Sequence, residues 1–284
     1  MQLSRTNQRQ HGRSRGLRRL ASAITALLLT CGIGVIVTPP ATASTASSIC
    51  DFGVFIGVRG TGADPGAGLD HDGRVWVTGG AGPELISLAA HFSSTSPLPM
   101  YVAALNYPAS GSVDYPSSIE AGRATLVTEL NWVVEQCGTV TPAVFLAGHS
   151  QGAAVILEAM TDRVGGSNLS ARAKSAIRAV VAYGDPNFAV NQPINVPGSA
   201  TDVGGILGPR LQTFSDQLNA YRAWGWPMGG SSQDWVQKIR SYCYPGDAIC
   251  NRGTGSDAMD IHNLYGENST TEAYQWMEYM VNAF

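Results

Sequence analysis

After residue 50 the chain alternates between short apolar runs and longer stretches in which apolar residues recur at helical spacing. The apolar runs are rich in β-branched residues and predict four strands, Phe52–Val58, Tyr101–Leu105, Ala143–Ala147 and Ile177–Tyr183. The helical spacing predicts three helices, Ser117–Glu135, Ala153–Arg163 and Thr271–Phe284. Strands that alternate with helices are typical of a mostly parallel sheet with helices on both faces, so we predict a three-layer αβα fold of the α/β class.

Two stretches depart from this alternation. Asp64–Gly82 is rich in glycine and contains a pattern that indicates a hairpin around Arg74–Thr78. Asn187–Arg240 contains Trp224, Trp226 and two Gly-Gly pairs, and a segment of this length is usually functional or has structure of its own. Two interpretations of residues 187–240 stay open, a surface excursion packed by its own tryptophans and a lid-like insertion over a binding site.

The first 43 residues have a pattern of their own. Several arginines precede an apolar run from Leu20 to Val37, and Ala41-Thr42-Ala43 matches an A-x-A cleavage site. We therefore predict a signal peptide over residues 1–43, removed on export, and a single domain over residues 44–284. An uncleaved anchor is the alternative, because the run has about the length of a membrane span. We expect a secreted protein, extracellular or associated with the cell envelope, without a stable membrane anchor.

Loss of the leader would make the chain strongly acidic. Six of the 18 Lys+Arg lie in the first 43 residues and none of the 21 Asp+Glu do, which leaves 12 minus 21, or −9. Such a surface repels nucleic acid, so we expect no nucleic-acid partner. The sequence shows neither a metal-ligand cluster nor a phosphate-binding loop with lysine, so we expect no cofactor and no metal. We also expect a monomer.

Four cysteines follow the leader, and an even number in an exported chain implies two disulfides with three possible connectivities. Cys243 and Cys250 flank a Pro-Gly turn that can bring their sulfur atoms together. We therefore predict the pairs Cys243–Cys250 and Cys50–Cys137.

A pentad that matches G-x-S-x-G, Gly148 to Gly152, stands between the predicted strand Ala143–Ala147 and the helix that follows it. This context predicts a sharp turn that needs small residues on both sides of Ser150. The Ser150 hydroxyl would then project above the carboxyl edge of the sheet, where ligands bind in such folds. Amide N–H groups at the helix start would lie close to a developing oxyanion. Ser150 is therefore the candidate nucleophile.

A serine hydroxyl needs a general base, and in this architecture the acid and then the histidine follow the serine in the chain. His262 is the one histidine of five that lies downstream. Asp185, Asp247, Asp257 and Asp260 are the candidate acids. Asp247 is favoured because the predicted Cys243–Cys250 bridge would hold it in place, and Asp185 is its rival.

Three motifs together, GHSQGAAV, CYPGDAIC and DIHNLY, resemble the cutinase family of small secreted α/β-hydrolase serine esterases. The family signature places an aspartate between two cysteines seven positions apart, then a histidine followed three residues later by a tyrosine. The matching residues are Cys243, Asp247, Cys250, His262 and Tyr265. The resemblance covers most of residues 49–284 and implies the α/β-hydrolase fold.

The resemblance also implies an oxyanion hole made by Thr61, in the RGTG loop after the first strand, and by Gln151 after the nucleophile. One departure from the family pattern is His149, where the family more often has tyrosine. Because His149 adjoins the nucleophile in the chain, its side chain cannot reach the Ser150 hydroxyl, and we expect it to pack beside the site.

These observations predict a secreted serine esterase that hydrolyses carboxylic esters through an acyl-enzyme. Ser150, His262 and Asp247 would form the triad, and the substrate would be a cutin-like polyester, a lipid or another acyl ester. An acetylxylan-type carbohydrate esterase and an envelope glycolipid esterase are the alternatives within the enzyme class. From another class, the alternative is a non-catalytic lipid-binding surface protein that keeps the hydrolase scaffold.

Overall fold

Within residues 49–283, the part of the chain that the computed structural model describes, nine strands form two sheets. In chain order the strands are β1 (Gly53–Val58), β2 (Ala67–Asp70), β3 (Val75–Thr78), β4 (Met100–Leu105), β5 (Val144–His149), β6 (Ile177–Tyr183), β7 (Arg222–Gly225), β8 (Asp234–Gln237) and β9 (Ile239–Tyr242). The predicted signal peptide, residues 1–43, lies outside the described residues.

The large sheet has seven strands in the order β2-β3-β4-β1-β5-β6-β9. The five strands from β4 to β9 in this order are parallel, and β2 and β3 form an antiparallel hairpin at the β4 edge. All six residues of β1 and of β5 are buried, as expected for strands covered on both faces. The predicted mostly parallel sheet is thereby confirmed.

Eight helices lie in the described range. They are α1 (Pro83–Ser94), α2 (Tyr115–Gln136), α3 (Gln151–Ala159), α4 (Ala171–Ala176), α5 (Gln212–Asn219), α6 (Ala258–Asn263), α7 (Tyr265–Asn268) and α8 (Thr270–Asn282). Single turns of 3₁₀ helix precede β1 and α2, at Ile49–Asp51 and Ser112–Asp114. The predicted helix Ala153–Arg163 therefore begins two residues earlier and ends four residues earlier than expected. The helix α1 and the edge strand β9 were not predicted.

Two apolar cores cover opposite faces of the sheet. One joins β1, β5 and β6 to α2 and α3, and includes Ile56, Leu130 and Val155. The other joins the alternate residues of the same strands to α1 and α8, and includes Phe145 and Met277. Residues along a strand point alternately to the two faces, so each strand contributes to both cores. The predicted three-layer arrangement is confirmed.

The stretch Asn187–Arg240 has regular structure of its own. It contains α5, the two-stranded sheet of β7 and β8, and the first residues of β9. Asn195 also forms a parallel bridge with Ser241, beside the edge of the large sheet. The described residues 49–283 belong to one compact unit, and this stretch is part of it.

The structure contains the disulfides Cys50–Cys137 and Cys243–Cys250. The first joins the turn before β1 to the end of α2 across 87 residues of sequence, and by loop-closure entropy it would stabilise the fold by about 4.6 kcal/mol. The second closes a loop of seven residues directly after β9 and would contribute about 2.5 kcal/mol. Among the described helices, none is long and apolar enough to span a membrane.

Candidate active site

Four neighbouring parallel strands, β1, β5, β6 and β9, end at the same edge of the large sheet. Each is followed by a segment that carries a candidate site residue, which is Thr61 after β1, Ser150 after β5, Asp185 after β6 and Asp247 after β9. A cavity of about 520 Å³ lies at this edge. Its lining includes Thr61, His149, Ser150 and His262. The position agrees with the general rule that ligands bind beyond the carboxyl ends of parallel strands.

Ser150 sits at a sharp turn between β5 and α3. Its backbone has φ 53° and ψ −119°, a conformation that a non-glycine residue rarely adopts. A Cβ atom at Gly148 would lie 2.6 Å from the backbone of Gly152, and one at Gly152 would lie 1.9 Å from Val58 O. The two glycines are therefore required by close packing, and the turn has the geometry that the pentad predicted.

His262, near the end of α6, lies directly against Asp247 in the disulfide loop. Its Nδ1 is 2.9 Å from Asp247 Oδ2 and 3.0 Å from Oδ1. An ionised carboxylate only accepts, so Nδ1 of His262 carries a hydrogen, and in the neutral imidazole Nε2 then has the lone pair. Nε2 is buried and has no hydrogen-bond partner among the described residues. This is the tautomer that a general base requires.

The Asp247 carboxylate is fully buried and held by several donors. Oδ1 accepts from the backbone N–H groups of Ile249 and Cys250, at 2.6 and 2.9 Å. Oδ2 accepts from the Tyr265 hydroxyl at 2.7 Å. Burial alone would raise the pKa of Asp247, but the hydrogen bond and charge of His262, with Tyr265 and Cys250, lower it below its usual value. The carboxylate is therefore ionised and fixed in orientation.

The end of β6 leaves room for the imidazole. A Cβ atom at Gly184 would lie 2.7 Å from His262 Cε1, and Gly184 has φ 62°, where side chains are disfavoured. The absence of a side chain at this position lets the His262 ring approach the strand end. Ser150 and His262 consequently line the same cavity, while Asp247 contacts His262 without lining the cavity.

Thr61 and Gln151 are the two predicted oxyanion residues, and they lie in the loop after β1 and at the start of α3. Thr61 lines the cavity, in a loop that buried Arg59 holds through bonds to Ala63 O at 3.0 Å and Tyr107 O at 2.6 Å. Gln151 is the first residue of α3, so its backbone N–H has no acceptor within the helix. The side chain of Gln151 is buried and does not line the cavity. Its amide donates to Ser110 O at 2.8 Å.

Asp185 is buried but bound to a different partner. The Arg210 guanidinium donates to its two carboxylate oxygens at 2.5 and 3.1 Å, and Arg210 Nε donates to Glu158 at 3.0 Å. These ion pairs tie the segment that contains Arg210 to the end of β6 and to α3. Asp257, directly before α6, and Asp260, within it, are exposed. The His262 ring therefore contacts Asp247 and none of its rivals.

Sequence reasoning missed a polar contact next to the nucleophile. His149 packs beside the site as expected, and it also places Nε2 2.8 Å from the backbone oxygen of His262 and Nδ1 3.2 Å from Glu84 Oε2. Glu84 lies in the first turn of α1. Pro83 followed by Leu85, Leu88 and Phe92 is the sequence signal that could have located this helix.

Three apolar side chains from separate segments, Ile206, Ile249 and Met259, form the apolar wall of the cavity. Among the described residues that line the cavity, Asn187–Arg240 contributes Ile206 and none of its tryptophans. The hairpin of β7 and β8, which carries Trp224 and Trp235, is followed by Lys238, whose backbone oxygen accepts from Val180 N and whose Nζ donates to Ile177 O. The hairpin thus joins the sheet at the amino ends of β6 and β9, away from Ser150.

Within residues 49–283, no group of three or more His, Cys, Asp or Glu side chains is arranged to hold a metal ion. A second buried histidine–glutamate contact exists outside the cavity, where His71 Nδ1 lies 2.6 Å from Glu129 Oε1. Arg74 Nε donates to the other oxygen of Glu129 at 2.9 Å. These contacts join the turn between β2 and β3 to α2.

The chain is similar to known acetylxylan esterases and to a cutinase-like protein. An acetylxylan esterase of Hypocrea jecorina is 27% identical over 197 residues, which are 66% of this chain and 56% of that protein. The catalytic core of the acetylxylan esterase of Trichoderma reesei has 22% identity and a TM-score of 0.59, over 81% of this chain and 99% of that chain. A cutinase-like protein from Cryptococcus sp. has 20% identity and a TM-score of 0.56, over 83% of this chain and 98% of that chain.

The two solved structures show that the fold is shared. The chain spans little more than half the length of the curated relative. The family model described as Cutinase matches residues 49–281, nearly the whole range that the sequence motifs indicated. The resemblance carried by the serine, aspartate and histidine motifs is confirmed, and the chain belongs to the cutinase family.

Proposed function

We propose that the protein is a serine esterase that hydrolyses carboxylic esters through an acyl-enzyme. Ser150 is the nucleophile, His262 the general base and Asp247 the residue that orients the imidazole. The observation that carries the proposal is the state of His262. Its Nδ1 is bound to a buried carboxylate, and its unpaired Nε2 belongs to a ring that lines the cavity at the Ser150 turn.

The reaction would proceed in two steps. His262 Nε2 takes the Ser150 proton as the hydroxyl attacks the ester carbonyl, and the resulting imidazolium returns a proton to the departing alcohol. Water, activated by the same nitrogen, then releases the acid. Asp247 stabilises the imidazolium in both steps because its carboxylate is buried and held by Tyr265 and by backbone N–H groups.

The oxyanion would be bound by donors of Thr61 and Gln151. The first turn of α3 directs its N–H groups toward Ser150, and the partial positive charge of a helix N-terminus favours an anion there. Arg59 and the Gly62 N–H, which donates to Ala109 O at 2.9 Å, fix the loop that presents Thr61. Loss of one oxyanion donor typically lowers kcat by about 10²–10³.

The substrate class is an acyl ester, because Ile206, Ile249 and Met259 give the cavity an apolar wall that suits an acyl chain. A carbohydrate acetyl ester is the second candidate. It is favoured by the curated relative, which is named an acetylxylan esterase. The two candidates differ in the length of chain that the apolar wall would contact.

Export and a monomeric state belong to the proposal as well. Four cysteines paired in two disulfides are typical of proteins that mature in an oxidising compartment. The predicted leader over residues 1–43 supports the same route. A domain over residues 44–284 would then act outside the cell on an ester or lipid substrate.

The test is hydrolysis of p-nitrophenyl esters from acetyl to dodecanoyl by the wild-type protein and by Ser150→Ala. We expect Ser150→Ala to lose more than about 10⁴-fold in kcat/KM while its circular dichroism spectrum is unchanged. Maximal kcat/KM with medium or long chains would support binding of an acyl chain along the apolar wall, whereas maximal activity with acetyl would favour the carbohydrate ester. Activity in Ser150→Ala close to that of the wild type would overturn the proposal.

A further inference from the structure

A second histidine–carboxylate pair lies beside the proposed triad, formed by His149 and Glu84. His149 Nε2 is 2.8 Å from the backbone oxygen of His262, and the two imidazole rings pack with centroids 4.6 Å apart and a tilt of 38°. His149 Nδ1 is 3.2 Å from Glu84 Oε2. His149 therefore contacts His262 twice, through its backbone and through one face of its ring.

The backbone contact determines which nitrogen of His149 must carry a hydrogen. A carbonyl oxygen only accepts, so Nε2 donates to His262. Nδ1 then faces the Glu84 carboxylate, which also only accepts when it is ionised. Nδ1 has no hydrogen-bond partner among the described residues, so the 3.2 Å contact between these two nearly buried side chains is electrostatic and is not a hydrogen bond.

Glu84 is placed to remain ionised. It lies in the first turn of α1, where backbone N–H groups favour a negative charge. Burial alone would raise the pKa of Glu84, but its interaction with His149 and the charge of His262 lower the pKa below the usual value. The helix itself is fixed from the other side, since a Cβ atom at Gly266 would lie 2.9 Å from Glu84 O.

The loop that carries Thr61 completes the surroundings of His149. A Cβ atom at Gly60 would lie 2.9 Å from His149 Nδ1, so the ring occupies the space that the glycine leaves open. His149 consequently links three separate elements, which are this loop, the start of α1 and the segment of His262. Its side chain is 4% exposed and that of Glu84 is 10% exposed, so water competes little for these contacts.

On the basis of the proposed function, we propose that His149 and Glu84 form a positioning pair for His262. Asp247 holds the ring of His262 at Nδ1, and the pair holds its backbone oxygen and the face of its ring. Together they determine the direction of Nε2 toward Ser150. A displacement of about 1 Å in such a group can lower the rate by about 10². The pair should therefore affect kcat much more than KM.

The test compares His149→Phe, His149→Gln and Glu84→Gln with the wild type, using p-nitrophenyl butyrate. Phenylalanine keeps the ring and loses both polar contacts, while the glutamine amide can still donate to the His262 carbonyl. His71→Phe is the matched control, because His71 is also buried against a glutamate but lies outside the cavity. Ser150→Ala reports whether the proposed function itself holds.

We expect His149→Phe to lower kcat by about 10–100-fold with KM within about twofold, and His149→Gln to recover most of the loss. Glu84→Gln should lower kcat by a smaller factor, and His71→Phe should lower Tm without changing kcat.

The proposal is wrong if His149→Phe keeps the wild-type kcat, if His149→Gln recovers none of the lost activity, or if His71→Phe loses as much activity as His149→Phe. Glu84→Gln gives an independent answer if His149→Phe does not fold, since an unchanged kcat would then contradict the pair. An inactive wild type, or an active Ser150→Ala, would instead remove the proposed function.

Discussion

Asp185 and Asp247 occupy corresponding places in the fold, shortly beyond the carboxyl ends of the neighbouring strands β6 and β9. Both side chains are buried, at 1% and 0% exposure. Asp185 contacts the Arg210 guanidinium through both oxygens, whereas Asp247 contacts the imidazole of His262 and accepts from two backbone N–H groups. Their burial is the same, and their partners differ.

The difference follows from what each partner can do. Arg210 stays charged at all ordinary pH values, so its pair with Asp185 serves to anchor a segment of the chain. The imidazole of His262 can gain and lose a proton, so a fixed carboxylate beside it can orient a base. A buried acid at this edge of the sheet is therefore informative about catalysis only when its partner is known.

The largest effect should come from Asp247→Asn. The amide cannot accept the Nδ1 hydrogen of His262 in the way that a carboxylate does, so the imidazole loses the tautomer that leaves Nε2 free. We expect kcat for a p-nitrophenyl ester to fall by about 10⁴ while the protein stays folded. A loss below about tenfold would show that another acid supports the histidine.

Asp185→Asn should instead lower the stability of the fold and leave kcat nearly unchanged. It leaves Arg210 buried with one remaining carboxylate partner, Glu158, and breaking a buried ion pair typically costs about 3 kcal/mol or more of unfolding free energy. We expect kcat to stay within about threefold of the wild type. Urea unfolding and steady-state kinetics on the same preparation measure both quantities. A fall in kcat as large as that of Asp247→Asn would remove the distinction between the two aspartates.

Removal of the small disulfide should affect Asp247 indirectly, through the loop that holds its carboxylate in place. Replacing Cys243 and Cys250 by serine should cost about 2.5 kcal/mol by loop-closure entropy and lower kcat by about tenfold or more, because the loop that fixes the carboxylate loosens. Replacement of Cys50 and Cys137 is the control. It should cost more stability, about 4.6 kcal/mol, with kcat unchanged at temperatures where the protein is folded. Equal kcat in both variants would contradict a positioning role for the small loop.

The smallest effect concerns stability in acid. Because the folded protein lowers the pKa of Asp247, this group stabilises the fold above its unfolded pKa of about 3.9, and the contribution is lost as the pH falls through the lower folded value. Urea unfolding between pH 3 and 7 should show a less steep loss of stability on acidification for Asp247→Asn than for the wild type. Identical slopes would mean that Asp247 is not selectively stabilised in its charged form.

The elements next to the nucleophile could be predicted because the required information is local. The pattern around Ser150 contains the strand, the two glycines and the start of the helix within some twenty residues. The order serine, aspartate, histidine left His262 as the one downstream histidine, and the geometry places it against Asp247. The strand β9 was missed because four residues are too few to show an alternating pattern.

Contacts between distant segments could not be predicted in this way. Arg210 reaches Asp185 across 25 residues of sequence, and Glu84 reaches His149 from α1, a helix that covers one face of the sheet. The tryptophans of Asn187–Arg240 left both a surface excursion and a lid open, and only the structure shows that their hairpin joins the sheet at the amino ends of β6 and β9. Sequence shows that a residue is apolar or charged, but the packing decides which partner it meets.

The central claim is that Ser150 becomes acylated with the help of His262, and covalent labelling tests it most directly. The wild-type protein, Ser150→Ala and Asp247→Asn would be treated with a fluorophosphonate, digested, and mapped by mass spectrometry. The account predicts one phosphonylated residue, Ser150, in the wild type, no label in Ser150→Ala and much slower labelling in Asp247→Asn. A wild-type protein that takes up no label, or carries it on a residue other than Ser150, would contradict the account.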